Sequence, residues 1–154
     1  MPKSKNDKWA TPSEIYDPLN TEFKFNYDPC PITWKEGDVD GLTSDWGTSS
    51  FCNPPYSATA KWIKKASEES KKGKIIVMLI NAVTDTLAFH QYIYGKAEIR
   101  FLKGRIKFIN PAEPDKRMPS WFLLMGKEIN CFCRRFNKFI RRKKFMIPRK
   151  STVR

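Results

Sequence analysis

Acidic residues, histidine and long apolar runs are scarce in this chain of 154 residues. The best apolar stretch, residues 75–80, is the length of a buried strand and far short of the roughly 20 residues that cross a bilayer. The charged start, Met1 to Lys8, has no hydrophobic region behind it, so it does not read as a secretory signal, and a cytoplasmic location is expected. The single histidine, His90, stands far from the four cysteines Cys30, Cys52, Cys131 and Cys133, and no Cys-x-x-Cys pair occurs. That pattern predicts free thiols in a reducing compartment and no metal site. Sixteen acids against 29 lysines and arginines leave a formal charge of +13. A charge so lopsided in a short chain points to a polyanionic partner, nucleic acid, over a merely soluble basic surface.

What is present suits one globular domain. Apolar residues make up 40% of the chain and aromatics 14%, enough for a real core. After a flexible start over 1–8, a domain is expected over 9–130, followed by a basic tail over 131–154. Thr11-Pro12-Ser13-Glu14 reads as a helix start, with Thr11 as cap and the helix running to about Leu19. Residues 23–28 alternate aromatic and polar, the period of a strand that ends at Asp28-Pro29-Cys30-Pro31. An irregular connection follows over 32–48. A short strand over 49–52 enters Asn53-Pro54-Pro55-Tyr56, and a helix to about Lys72 buries Trp62, Ile63 and Ala66 before Gly73 stops it. Residues 74–81 form a strand buried on both faces. Asp85 is placed to cap a short helix carrying Phe89 and Ile93, with Gly95 as its stop. Strands over 97–102 and 105–109 flank a turn at Lys103-Gly104, and a last strand covers 120–125. The alternation of strand and helix predicts an α/β fold. In the tail, Arg134, Arg135, Arg141 and Arg142 belong to an acid-free basic run with interleaved aromatics. It is either an arm for phosphate contacts or a solvated tail docked on the domain.

Asn53-Pro54-Pro55-Tyr56 carries the chemistry. Two prolines hold the backbone extended and remove donors. They fix the Asn53 amide oxygen and the Pro54 carbonyl at the carboxyl edge of a sheet, where ligands bind in open α/β folds. Two acceptors beside an aromatic ring match a planar exocyclic amine. The N6 lone pair of adenine is delocalised into its ring, and acceptors on both N6 hydrogens favour the geometry that frees it. Tyr56 would stack on a base turned out of the duplex. A proline-stiffened loop with a core tyrosine is the plainer alternative. Tyr56 buried inward, together with an Asn53 amide spent on the protein's own backbone, would make the case for methylation collapse in favour of that alternative.

The chain resembles the phage DNA N-6-adenine methyltransferase (Dam-type) family. The matching features are, in order, Trp9-Ala10-Thr11-Pro12, Asp28-Pro29-Cys30, Asp45-Trp46, Asn53-Pro54-Pro55-Tyr56-Ser57, Trp62 and Gly104-Arg105-Ile106-Lys107-Phe108. The resemblance covers about 8–125 and implies a single class I methyltransferase domain. Its sheet would be Rossmann-like, mostly parallel and abbreviated, flanked by helices, with an antiparallel strand near the C-terminal end. It implies transfer of a methyl group from S-adenosylmethionine to adenine N6 in double-stranded DNA, without a metal. Asn53, Pro54, Pro55 and Tyr56 would hold the adenine, and Thr11, Pro12, Asp28, Cys30, Asp45 and Asn53 would meet the cofactor. Asp28 and Thr11 also read simply as a turn cap and a helix start. Arg105 and Lys107, with the arginines of the tail, would contact DNA.

One departure stands out. After Asp28-Pro29-Cys30 comes Pro31-Ile32-Thr33-Trp34, with no glycine until Gly37. Glycine allows backbone to approach a ligand that bulkier residues obstruct. The cofactor is then bound differently, weakly or not at all, the last leaving an inactive DNA binder. Transfer to RNA adenine or to a protein glutamine amide would use the same four residues. The chain has little room for a recognition domain, so sequence specificity falls to the 110–119 connection, the tail or a second copy in a homodimer.

Overall fold

The computed structural model describes residues 9–81, 83–109 and 117–125. The arginines of the tail, Cys131, Cys133 and residues 110–116 of the connection lie outside these. Six elements follow in order: helix α1 (Ser13–Phe23), strand β1 (Ser49–Cys52), helix α2 (Thr59–Lys71) and strands β2 (Ile75–Asn81), β3 (Glu98–Lys107) and β4 (Arg117–Met125). The sheet order is β1-β2-β4-β3. β1 runs parallel to β2, while β4 is antiparallel to both β2 and β3. Three strands therefore share one direction, with a single reversed strand, the later of the two C-terminal ones, inserted among them. The architecture is mixed α/β. Among the described residues it is smaller than a full Rossmann-like sheet.

β2 explains the layering. It is paired on both sides, and its side chains alternate between two cores. Ile76, Met78 and Ile80 join Cys52 of β1 and Trp62, Ile63 and Ala66 of α2 in one cluster. Val77 and Leu79 join Phe51, Ile106 and Phe108, with Leu19 and Phe23 of α1, in the other. Met78 and Val77 are fully buried. Burying a side chain of this size stabilises by about 1.5–3 kcal/mol, an upper figure because unfolded chains are already partly compact. The apolar stripe expected on α2 is the one that packs, and Gly73, at φ +86°, turns the chain out of the helix.

Four local expectations are corrected. The aromatic alternation over 23–28 does not make a strand. Phe23 closes α1, Lys24 adopts the left-handed conformation at φ 53°, and the Asn20 side-chain oxygen accepts the Phe25 amide at 3.0 Å. Only Tyr27 pairs with β1, in a parallel bridge to Ser50. The alternation instead serves packing, since Phe25 and Tyr16 both contact the Phe51 ring. The start of α1 is not capped by Thr11: Pro12 is the N-cap, and its carbonyl accepts the amides of Ile15 and Tyr16. The helix runs on to Phe23 with Pro18 inside it. Next, the turn Phe89–Ile93 is π-helical, and the Thr86 hydroxyl, not Asp85, accepts the Phe89 amide. Last, Lys103-Gly104 is no hairpin turn. β3 is continuous and absorbs the extra residues as an irregularity between Phe101 and Arg105.

Candidate active site at the carboxyl edge of the sheet

Two chain segments reach the same sheet edge. Tyr27 accepts the Phe51 amide at 3.1 Å, which carries Asp28 to the end of β1. β1 itself ends at Cys52 and enters Asn53-Pro54-Pro55. There the chain makes a single 3-10 turn, Tyr56–Ala58, before α2 begins. The Pro55 carbonyl accepts the Ala58 amide at 3.1 Å and the Thr59 hydroxyl at 3.3 Å, so the turn is locked from inside.

Asn53 is half-buried and its amide is oriented. Its Nδ2 donates to the Trp9 carbonyl at 2.6 Å, which leaves Oδ1 as the outward end. Among the described residues no donor reaches Oδ1 of Asn53 or the carbonyl of Pro54. Tyr56 is half-buried, packed edge-on to Phe108 at 6.2 Å between centroids, with its hydroxyl enclosed. The unfavourable outcome is thus met only in part: the nitrogen end of the amide is spent on backbone, and the oxygen end is not.

Beside this corner opens a cavity of about 640 Å³, within the range of roughly 300–1,000 Å³ common for small-molecule sites. Thr11, Asp28, Cys30, Asn53 and Pro55 line it. Its walls also include Trp9, Tyr16, Ile32, Trp34, Asp40, Gly41 and Trp62, which sequence reasoning did not assign to the site. Asp28 Oδ1 accepts the Cys30 amide at 2.9 Å, so the carboxylate does cap its turn while facing the cavity. Although the residue keeps solvent contact, crowding by the cavity walls withdraws water from its carboxyl. Burial therefore raises its pKa, against the lowering effect of the Cys30 amide. The Cys30 thiol is pushed up to about 12 by burial and then by the Asp28 and Asp40 carboxylates. Burial, foremost, also raises Cys52. Both thiols stay protonated and inert at neutral pH.

The segment without glycines forms the far wall. Trp34 donates its indole N–H to the Val39 carbonyl at 3.2 Å, and Lys35 donates its amide to Asp38 Oδ2 at 2.8 Å. Gly37 sits at the head of this loop at φ +100°. Close backbone approach occurs later, at Gly41, where a Cβ would overlap the Pro29 carbonyl. The only sequence signal for this wall was the pair of aspartates and glycines over 37–41, which reads equally as an ordinary loop.

Other expected residues fall elsewhere. Pro12 is buried at the start of α1 and does not line the cavity. Asp45 is also absent from the lining; it pairs with Lys72 at 2.7 Å and Lys74 at 2.8 Å, and hydrogen bonds from these lysines lower its carboxyl pKa. Lys107 is exposed at the end of β3, the same edge of the sheet as Asn53, and the backbone of Arg105 pairs with Pro119.

The cavity's chemistry fits an S-adenosylmethionine-like ligand. Carboxylates at Asp28 and Asp40 can meet cationic and hydroxyl groups, and Trp34, Ile32 and Tyr16 offer apolar faces to a purine. No curated protein and no solved structure shows significant similarity to the chain. The family model for DNA N-6-adenine-methyltransferase (Dam), however, matches residues 1–130, and the chain belongs to that family.

Proposed function

We propose that the protein methylates the exocyclic N6 of adenine in double-stranded DNA, on an abbreviated class I methyltransferase fold. S-adenosylmethionine, when bound, supplies the electrophilic methyl group. Asp28 and Asp40 would hold its charged and hydroxyl groups, and Thr11, Cys30 and the aromatic walls would enclose the rest. The observation that carries the reading is the oriented amide of Asn53, which lines that cavity and whose Oδ1 meets no donor among the described residues, followed in the chain by buried Pro54, whose carbonyl likewise meets none among them.

The roles follow from geometry. The bond from Asn53 Nδ2 to Trp9 prevents the amide from turning over, so an acceptor is presented to the incoming amine. Pro54, lacking an N–H, presents a second acceptor and no competing donor. Holding both N6 hydrogens would free the nitrogen lone pair for the electrophile that the cofactor would supply, and the surplus proton of the methylated amine would leave to water. The half-exposed Tyr56 ring, braced by Phe108, is the surface on which the extruded base rests. Lys107 and the basic tail would supply the phosphate contacts.

Tritium-labelled S-adenosylmethionine with duplex DNA tests this directly, with nucleoside analysis of the product. Label on N6-methyladenine in DNA is expected. Label only in RNA, or on a glutamine amide, would move the assignment to that substrate. Tight DNA binding with no transfer would identify an inactive binder. Trimming residues 134–154 is expected to lower the salt dependence of DNA binding by about 0.9 in slope for every phosphate no longer neutralised, read by titration at several salt concentrations.

A further inference from the structure

The buried carboxylate of Glu69, in the last turn of α2, has no place in the chemistry above. Its side chain is wholly out of solvent, yet it is surrounded by cations: Lys65 at 2.8 Å, Lys72 at 2.8 Å and Lys74 at 2.6 Å. It also accepts the Trp46 amide at 3.2 Å, while Lys74 donates to the Trp46 carbonyl at 2.5 Å. The backbone of Trp46 is therefore clamped at both of its polar atoms. From this anchored position the indole N–H donates to the Gly41 carbonyl at 2.7 Å, in a buried bond. The ring lies 6.2 Å from that of Trp62. Gly41 and Trp62 line the cavity; Trp46 and Glu69 do not. Gly41 in turn is pressed against the Pro29 carbonyl, with no room for a Cβ.

We propose that Trp46, anchored by Glu69, is a positioning residue that sets the far wall of the cofactor cavity. The inference rests on the reading of that cavity as the S-adenosylmethionine site. In place of a glycine-rich turn next to Asp28, the wall at Pro29, Gly41 and Leu42 is held from outside at the Gly41 carbonyl by the Trp46 indole donor. Removing the donor leaves a buried carbonyl without its partner and lets the wall drift, whereas the reacting corner at Asn53 keeps its own bond to Trp9.

Trp46→Phe keeps an aromatic ring, a smaller one than the indole, and deletes the donor; Glu69→Gln keeps an acceptor for the Trp46 amide and deletes the charge that gathers the lysines. Calorimetry with S-adenosylhomocysteine is the primary readout. Hydrogen exchange at residues 41–44 and the KM and kcat for S-adenosylmethionine accompany it. The Trp46→Phe protein is expected to bind about tenfold more weakly. Its KM should rise by a similar factor with kcat within about twofold of the parent, the pattern of weakened uniform binding. Exchange at 41–44 should quicken while amides of β2 keep their protection. Glu69→Gln should shift the same quantities in the same direction, and it carries the test if Trp46→Phe does not fold. Unaltered affinity and exchange in a folded variant would overturn the positioning role. Failure of the unsubstituted protein to bind S-adenosylhomocysteine would instead overturn the reading of the cavity, and this inference with it.

Discussion

The two ends of helix α2 face opposite edges of the sheet and have been built in opposite ways. At its start, the chain arriving from Asn53-Pro54-Pro55 leaves the Asn53 Oδ1 without a donor among the described residues, on a residue that lines an open cavity. At its finish, Glu69 is sealed from solvent and satisfied by three lysines and a backbone amide. An unpaired acceptor costs stability and is retained where a ligand supplies the donor. A saturated buried carboxylate does no chemistry, but it holds neighbouring chain in place. The contrast shows where to look for function: at groups whose hydrogen-bonding capacity is left open, not at those with the densest charge.

The comparison is broken most severely at the open end. Asn53→Ala is expected to reduce methyl transfer by at least about 100-fold, the scale seen when one preorganised partner of a transition state is removed. DNA affinity should stay near the parent value, as measured by single-turnover transfer alongside a binding titration. Equal activity in the variant would take Asn53 out of the mechanism. Next, Asp28→Asn should weaken S-adenosylmethionine binding about tenfold at neutral pH, because a charge-assisted hydrogen bond is removed. Burial raises the Asp28 pKa in the free protein, and a bound cation favours its ionised form. Parent affinity should accordingly fall as pH drops through that raised value, and the Asp28→Asn variant should show a flatter profile by calorimetry across pH.

At the closed end the effects are on stability. Glu69→Ala takes the buried carboxylate from three lysines, of which Lys72 and Lys74 keep Asp45 as a partner. Breaking a buried pair costs several kcal/mol, but Lys72 is half exposed and water screens it, so about 2 kcal/mol is expected from urea unfolding. The smallest effect is its dependence on pH. Burial alone would raise the Glu69 carboxyl, but hydrogen bonds from Lys65, Lys72, Lys74 and Trp46 outweigh it and hold the group well below its ordinary 4.5. A depressed carboxylate pKa gives stability that is complete above the unfolded value and lost as pH falls toward the folded one. The stability gap between the parent and Glu69→Gln should therefore be full at pH 7 and shrink below about pH 4.5. A gap independent of pH would mean that the cluster contributes shape and not charge.

Much of the frame could be read from residue spacing. Trp62, Ile63 and Ala66 recur at helical intervals, and residues 75–80 form an apolar run that suits a central strand alone. Both patterns are dominated by local rules, and tertiary structure agreed with them. The place of Asn53 at the end of β1, beside the cavity, was legible because the two prolines after it limit what the backbone can do. Phe23 to Asp28 misled because aromatic residues packing on a helix produce the same alternation as a strand, and Asn20 supplied an unforeseen cap. The far wall and the Glu69 cluster were opaque for a different reason. In sequence, two adjacent acids among lysines on a helix, Glu68 and Glu69, look like a solvated face. Glu69 becomes an anchor only because Trp46, 23 positions earlier, folds back onto it. Contacts of that span leave no local trace.

The hydrogen bond from Asn53 to Trp9 has a consequence for how the protein is handled. Its two partners are 44 positions apart, and Trp9 precedes a bridge in which Ala10 and Ile109 exchange hydrogen bonds of 3.1 Å. The setting of the reacting amide thus depends on a leader that contains no reacting group. A shortened version starting at Thr11 would keep the four-residue motif but lose Trp9 from the cavity wall and the core, and its amide would be free to rotate by half a turn and offer a donor where an acceptor is needed.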